Sequence, residues 1–131
     1  VVLSGALECI KSAYKARIPQ AIFTNKDGKT AREVSNFAGF SKYISTCVGS
    51  SDTIWNKPDP RLTEHVISLL AVSSKNIIVI GDSPTDVNVA QNSGLTAYCV
   101  ATGSHSEAEL KEAGAVATFK NLSSLYQIFI Q

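Results

Sequence analysis

The stretch from Asn76 to Asp86 constrains the fold of this chain more than any other. Four consecutive apolar residues, 77–80, run into a glycine, and two carboxylates follow at Asp82 and Asp86. An apolar run that ends in turn-forming residues predicts a strand buried on both faces. Ser83-Pro84 favours the start of a helix, so Asp86 would lie one turn into it. Ligands of open α/β sheets bind at the carboxyl edge of parallel strands, and Mg²⁺ is the cation that best suits two carboxylates there.

Helices and strands are predicted to alternate along the whole chain, with short connections and no repeat or low-complexity linker. This order predicts a single α/β domain over residues 1–131, with a parallel sheet in a three-layer, Rossmann-like arrangement. The strands are expected at 21–23, 44–48, 77–80, 96–100 and 116–119. The helices between and around them are expected near 4–18, 30–38, 60–72, 84–94, 107–113 and 122–130.

Apolar spacing also predicts which helix faces are buried. The first helix is expected to begin at a capping Ser4 and to bury Tyr14 on its core face. The second is expected to bury Val34 and Phe37 and to stop at Gly39.

The composition is that of an ordinary globular chain, with 44% hydrophobic residues, 18% charged residues and a net charge of +1. Near-neutrality favours neither nucleic acid nor an anionic membrane surface as a partner. No apolar run has the length of a membrane span, and no segment has the pattern of a secretory signal peptide. The three cysteines are widely spaced and lack metal-site spacing, which predicts reduced thiols in a cytoplasmic protein.

Several predicted strands are followed by polar residues suited to chemistry. Thr24 and Asn25 follow the first strand, Lys57 lies in the connection after the second, and Asp82 and Asp86 follow the third. In a right-handed parallel sheet these residues share one edge. A hydroxyl, a backbone N–H, an ammonium and a metal-binding carboxylate pair together predict a phosphoryl site. Each segment alone also has a purely structural explanation, as a solvated turn, a helix start or a capped helix entry.

Three segments together resemble motifs II, III and IV of the haloacid dehalogenase superfamily, and phosphoglycolate phosphatase-like enzymes in particular. These segments are residues 21–26, Lys57-Pro58-Asp59-Pro60 and Gly81-Asp82-Ser83-Pro84-Thr85-Asp86. The resemblance extends over essentially the whole chain. It implies an Mg²⁺-dependent phosphatase that acts on a small phosphorylated metabolite through an aspartyl-phosphate.

The resemblance also implies a role for each matching residue. Thr24 and the Asn25 backbone would bind the transferring phosphoryl group, and Lys57 would pair with the phosphate and with the nucleophilic carboxylate. Asp82 would bind Mg²⁺. Asp86 would support the metal directly, through water, or by orienting Lys57.

One part of the family pattern is missing. Motif I is a strand that ends in Asp-x-Asp-Gly-Thr and supplies the nucleophile, but no Asp-x-Asp occurs in the sequence. The segment 25–29 keeps an Asp-Gly pair but has the amide of Asn25 in the place of the nucleophile. Because the chain also does not begin with Met, we expect it to be the C-terminal part of a longer protein. The remainder would contribute the motif I strand and a cap, so this chain alone would be inactive.

The same residues bear on two other functions. A non-catalytic module that binds phosphate or metal remains an alternative, since it needs no nucleophile. A phosphoacceptor receiver domain would need an early acidic pair, a mid-chain aspartate, then Thr and Lys. Here Thr24 and Lys57 precede Asp82 and Asp86, and this order excludes a receiver.

Overall fold

A computed structural model describes residues 5–72 and 77–129 of the chain. Within these residues helices and strands alternate as predicted. The elements are α1 (Ala6–Lys15), β1 (Ala21–Phe23), α2 (Gly28–Phe37), β2 (Thr46–Val48), α3 (Pro60–Leu70), β3 (Ile78–Gly81), α4 (Pro84–Asn92), β4 (Thr96–Val100), α5 (Glu107–Ala113), β5 (Ala117–Phe119) and α6 (Leu122–Leu125), followed by a 3₁₀ helix (Tyr126–Phe129). None of the described helices is both long and apolar enough to cross a membrane.

All the strand pairs are parallel, but the sheet is in two parts. β1 pairs with β2, and Ile22 lies opposite Cys47. β3, β4 and β5 form the second part in that order, with Val79 opposite Ala97. Over the described ranges β1 and β3 are not hydrogen-bonded to each other, so one edge of each strand faces the other part of the sheet without a partner.

A groove of about 640 Å³ lies between the unpaired edges of these two strands. Its walls are apolar, from residues 21–23 of β1, residues 78–80 of β3 and the side chains of Val66 and Leu70 on α3. Lys57 is the basic residue that lines it from the loop before α3, and Arg17 lines it from the end of α1. The groove is therefore a largely apolar channel between two open strand edges.

Helices cover both faces of the larger part of the sheet. Ala97 and Cys99 of β4 pack in a cluster with residues of α4 and α5, including Val87 and Leu110. Val100 packs on the other face with residues of α1 and α6. Since side chains alternate along a strand, β4 is buried on both faces, as expected for a strand in a three-layer α/β fold.

Asp59 and Pro60 begin α3 as predicted from the sequence. The Asp59 carboxylate accepts a hydrogen bond from the backbone N–H of Arg61, and Pro60 occupies the first turn. A proline is tolerated there because its missing N–H would have no partner within the helix. The structure of α3 thus fixes where the preceding loop, which carries Lys57, must end.

The predicted buried faces of the first two helices are wrong at three large residues. Tyr14 is 54% exposed, Val34 is 49% exposed and Phe37 is 92% exposed. The described helices instead bury small residues, among them Ala13 on α1 and Ser35 on α2. Small side chains let a helix lie close to its neighbours, and a pattern based on large apolar residues does not detect such a face.

Two further expectations differ at element ends or edges, and others lie outside the described residues. β3 is not buried throughout, since Ile80 is 40% exposed where it lines the groove. The last helix is shorter than predicted, because its continuation from Tyr126 is a 3₁₀ helix. The predicted cap Ser4 and the last residue of the predicted C-terminal helix, Ile130, lie outside the described residues, as does Asn76.

Candidate functional site

An ion pair between Lys57 and Asp86 forms the centre of the candidate site. Lys57 Nζ donates to Asp86 Oδ1 at 3.0 Å, although 29 residues separate the two in the chain. The side chains are only 18% and 11% exposed. The ammonium also lies 4.8 Å from the centre of the Phe23 ring, at the end of β1. A cation is thus held at the carboxyl edge of the sheet by a carboxylate and an aromatic face.

Asp86 accepts two further hydrogen bonds through its second oxygen. The backbone N–H of Asp82 and the Ser83 hydroxyl both donate to Oδ2, each at 3.1 Å. Gly81 makes this arrangement possible, because a Cβ at that position would overlap the Asp86 side chain. Ser83 therefore supports Asp86, and its hydroxyl makes no hydrogen bond that caps the helix backbone.

The loop after β1 brings Thr24 and Asn25 to the same edge. The Asn25 side chain contacts the Lys57 backbone, accepting from its N–H at 2.8 Å and lying 3.4 Å from its carbonyl oxygen. Thr24 Oγ1 accepts from the backbone N–H of Lys26 at 3.2 Å, which leaves its own proton available to a ligand. In the described part of the chain the Asn25 backbone N–H donates to no protein group.

Hydrogen bonds to the loop after β2 hold this first loop in place. The backbone N–H of Gly28 donates to Ser51 Oγ at 3.0 Å, and Arg32 Nη1 forms an ion pair with Asp52 at 2.8 Å. The Ser51 hydroxyl holds the pKa of Asp27 below its usual value, and the Arg32 guanidinium does the same for the pKa of Asp52. Both carboxylates are therefore ionised at neutral pH, and both brace the loops rather than the site itself.

Asp82 is the carboxylate best placed to bind a cation. Its side chain is exposed, and within residues 5–72 and 77–129 it makes no ion pair or side-chain hydrogen bond. A Cβ at Gly103 would lie 3.0 Å from Asp82 Oδ2, so the glycine keeps one side of this oxygen open. These features fit a small hard cation that takes oxygen ligands.

Few protein side chains near Asp82 could bind a metal ion. The described residues contain no group of three or more His, Cys, Asp or Glu side chains that converge on one point. Magnesium commonly binds through one or two carboxylates and keeps several waters, so one free carboxylate is compatible with it. A site that needs three such side chains is not present in the described ranges.

The structure brings all five residues proposed from the sequence to one edge of the sheet. Thr24 and Asn25 are adjacent, Asn25 contacts Lys57, and Lys57 contacts Asp86. Asp82 joins them through its backbone N–H. Of the three possibilities for Asp86, the contact described is the one that orients Lys57. The roles of all five residues toward a ligand stay predictions.

Sequence reasoning missed the side chains that hold Lys57. It assigned only the backbone of Asn25 to the site and gave no role to Phe23. It also missed Asn92, whose Nδ2 donates to the carbonyl oxygen of Pro58 at 3.0 Å. Asn25 is next to a predicted ligand, which is a usable signal, whereas nothing in the sequence near Asn92 distinguishes it from a surface residue.

A protein-family comparison identifies the group to which these features belong. The family model described as haloacid dehalogenase-like hydrolase matches residues 1–100. The phosphoglycolate phosphatase of Rhodospirillum rubrum is 30% identical over 124 residues, which is 95% of this chain and 51% of that protein. The phosphoglycolate phosphatase of Pseudomonas fluorescens is 25% identical over 125 residues, 95% of this chain and 46% of that protein.

Solved structures are similar in fold. A haloacid dehalogenase-superfamily hydrolase from Ehrlichia chaffeensis superposes with a TM-score of 0.84 at 23% identity, covering 100% of this chain and 58% of that one. A second hydrolase of the superfamily, from Geobacter sulfurreducens, gives a TM-score of 0.78 at 16% identity, covering 98% and 61%. The chain therefore spans about half the length of the curated relatives it matches.

Proposed function

Because this chain belongs to the haloacid dehalogenase-like hydrolase family, we propose that the protein carrying it is an Mg²⁺-dependent phosphatase acting on small phosphorylated metabolites. The observation that carries the proposal is the partly buried Lys57–Asp86 pair at the carboxyl edge of the sheet, beside Thr24 and Asn25. A fixed ammonium next to neutral donors suits the oxygens of a phosphoryl group, on which negative charge is spread during transfer.

The structure supports each proposed phosphate ligand with an observed contact or a free proton. Lys57 offers its ammonium, which Asp86 keeps at the sheet edge. Thr24 has a hydroxyl proton free to donate, and the exposed Asn25 backbone N–H is free as well among the described residues. Together they would bind two or three phosphoryl oxygens from one side. Mg²⁺ bound at Asp82 would neutralise phosphate charge from the other side.

The nucleophile would come from a strand outside the described residues. The groove between β1 and β3 is largely apolar, is bordered by the unpaired edges of both strands and is lined by Lys57. A parallel strand in the groove would satisfy both edges, and a carboxylate after it would lie beside the ammonium. Such a carboxylate would attack phosphorus and release the alcohol, and water would then hydrolyse the aspartyl-phosphate to inorganic phosphate.

The relatives suggest which substrate to test first. Both curated proteins compared above are named phosphoglycolate phosphatase, so 2-phosphoglycolate is the first candidate for this chain. A small, doubly charged substrate would suit a site built from one ammonium, a few N–H and O–H donors and a metal. The 131-residue chain alone is proposed to be inactive because it would lack the nucleophile.

Phosphate release by the natural-length protein tests the function. We expect hydrolysis of 2-phosphoglycolate, or of another compound in a panel of phosphorylated small metabolites, that requires Mg²⁺ and stops with chelator. Lys57→Ala should lower kcat/KM at least about a hundredfold, because a charged ligand of the transition state is lost. Lys120→Ala, at an exposed lysine, is the matched control and should leave the rate unchanged.

Two outcomes would count against the proposal. If no compound in the panel is hydrolysed although Lys57→Ala weakens phosphate binding, the chain is part of a non-catalytic phosphate-binding module. If hydrolysis occurs but Lys57→Ala and Lys120→Ala have equal rates, the site lies elsewhere.

A further inference from the structure

Lys57 lies in a segment without regular secondary structure. Residues 49–59 connect β2 to α3, and the turn just before the helix is closed by the Asp59 N–H donating to the Asn56 carbonyl at 2.8 Å. Among the described residues, the Lys57 backbone makes no hydrogen bond to the backbone of a strand or helix. A lysine carries its ammonium at the end of a flexible four-carbon chain, so the position of the ammonium is fixed only if the backbone is also held.

Two asparagine side chains hold this backbone. Asn25 Oδ1 accepts from the Lys57 N–H at 2.8 Å, and Asn25 Nδ2 lies 3.4 Å from the Lys57 carbonyl oxygen. One amide thus faces both polar groups of one residue, as an adjacent strand would. On the other side, Asn92 Nδ2 of α4 donates to the Pro58 carbonyl oxygen at 3.0 Å.

We infer that the Asn25 side chain is a positioning residue that acts through Lys57, an inference that rests on the proposed function. Its backbone N–H and the neighbouring Thr24 hydroxyl are the neutral donors of the site, and its side chain fixes the residue that carries the cation. The amide therefore sets the separation between neutral and charged phosphate ligands, which come from segments 32 residues apart.

A positioning role for Asn25 should affect kcat more than stability, whereas a purely structural role should affect stability. Asn25 is exposed, so water can replace its amide and the loss of these hydrogen bonds should change stability little. A small displacement of a group that contacts the reacting phosphoryl can lower the rate by one or two orders of magnitude. A large effect on kcat with a small effect on stability is the expected pattern.

A double-mutant cycle in the natural-length protein tests the inference. Asn25→Ala should lower kcat for the phosphate ester about tenfold while the urea midpoint stays at the wild-type value. Combined with Lys57→Ala, the same change should cost less than about twofold, because the ammonium that it positions is gone. Asn88→Ala, at an exposed asparagine of α4, is the control and should leave kcat unchanged.

Equal losses from Asn25→Ala in both backgrounds would overturn the inference, since Asn25 would then act independently of Lys57. A fall in urea midpoint that accounts for the lost activity would overturn it as well. Amide hydrogen exchange gives a second measurement that needs no activity. The Lys57 N–H should exchange about tenfold faster in Asn25→Ala than in Asn88→Ala.

The exchange experiment separates this inference from the proposed function. If the wild-type protein hydrolyses no phosphate ester, the proposed function fails, and Lys57 exchange alone decides whether Asn25 holds its backbone. An unchanged Lys57 exchange rate in Asn25→Ala would overturn the inference whatever the activity.

Discussion

Neutralising Asp86 gives the sharpest test of how the site is held together. Asp86→Asn keeps the size of the side chain but removes the charge opposite the Lys57 ammonium, 3.0 Å away. Asp86 accepts hydrogen bonds from three donors: Lys57 Nζ, the Asp82 N–H and the Ser83 hydroxyl. The NH₂ group of the new amide would point at one of them and could not accept its hydrogen bond. A partly buried cation would lose its counter-charge, and one donor would lose its acceptor.

The exposure of the pair sets the expected magnitude. Exposed ion pairs contribute at most about 1 kcal/mol, whereas hydrogen bonds to charged groups contribute about 1.5–3 kcal/mol when shielded from water. Lys57 and Asp86 are 18% and 11% exposed, so the second range applies. We expect Asp86→Asn to lower the free energy of unfolding by about 2–3 kcal/mol.

Urea unfolding followed by circular dichroism measures this difference through the midpoint and slope of the transition. Glu64→Gln, at an exposed carboxylate on α3, removes the same charge without a buried partner and should change stability by less than about 0.5 kcal/mol. If Asp86→Asn is as stable as Glu64→Gln, the Lys57–Asp86 contact does not stabilise the site and the reasoning from burial is wrong.

Three other predictions concern neighbouring features. Gly81→Ala should destabilise by about 2–3 kcal/mol in urea unfolding, because its Cβ overlaps the Asp86 side chain; wild-type stability would contradict the described turn. Arg32→Ala should raise the pKa of Asp52 toward its usual value in an NMR titration. Because this pKa is depressed in the folded protein, the ion pair stabilises the fold above the unfolded pKa, about 3.9. This stabilisation is lost as the pH falls through the folded pKa. An unchanged Asp52 titration would exclude the ion pair. Cys47 should react first with iodoacetamide in the native protein. It is partly exposed and Cys9 and Cys99 are buried; burial raises the pKa of the Cys47 thiol too, and raises the pKa of each of the other two to about 11. Equal labelling of the three would contradict the burial of Cys9 and Cys99.

Much of the fold was predictable because its elements are marked by local signals. The bounds of β4 (Thr96–Val100) and α5 (Glu107–Ala113) are those predicted from the sequence. β4 is an apolar run between turn residues, and α5 begins with the capping box of Ser106 and Glu109 and ends at Gly114, whose φ is 120°. Such signals depend only on nearby residues, so the sequence contains them in full.

Helix faces were predicted less well because they depend on what lies opposite. The spacing of Val34 and Phe37 suggested a core face on α2, but Phe37 is 92% exposed and the helix buries Ser35 instead. β3 shows the same dependence, since Ile80 pairs with Tyr98 of β4 but is 40% exposed where it lines the groove. Periodicity indicates that a face is apolar, but not whether another helix or strand packs against it.

The candidate site was predictable at the level of residue type and sheet edge. Parallel topology alone brings Thr24, Lys57 and Asp86 to one edge. The contacts that hold them there were not predictable, because Asn25 and Asn92 reach across the edge through side-chain amides whose directions depend on the assembled fold.

A crystal structure of the natural-length protein with Mg²⁺ and a phosphate analogue tests the central claim most directly. We predict a strand in the groove, parallel to β1 and β3 and hydrogen-bonded to both, with a carboxylate after it close to Lys57 Nζ. The analogue should contact Thr24 and Lys57, and the metal should bind Asp82. A groove filled by a helix or by solvent, or an anion bound away from Lys57, would contradict the account.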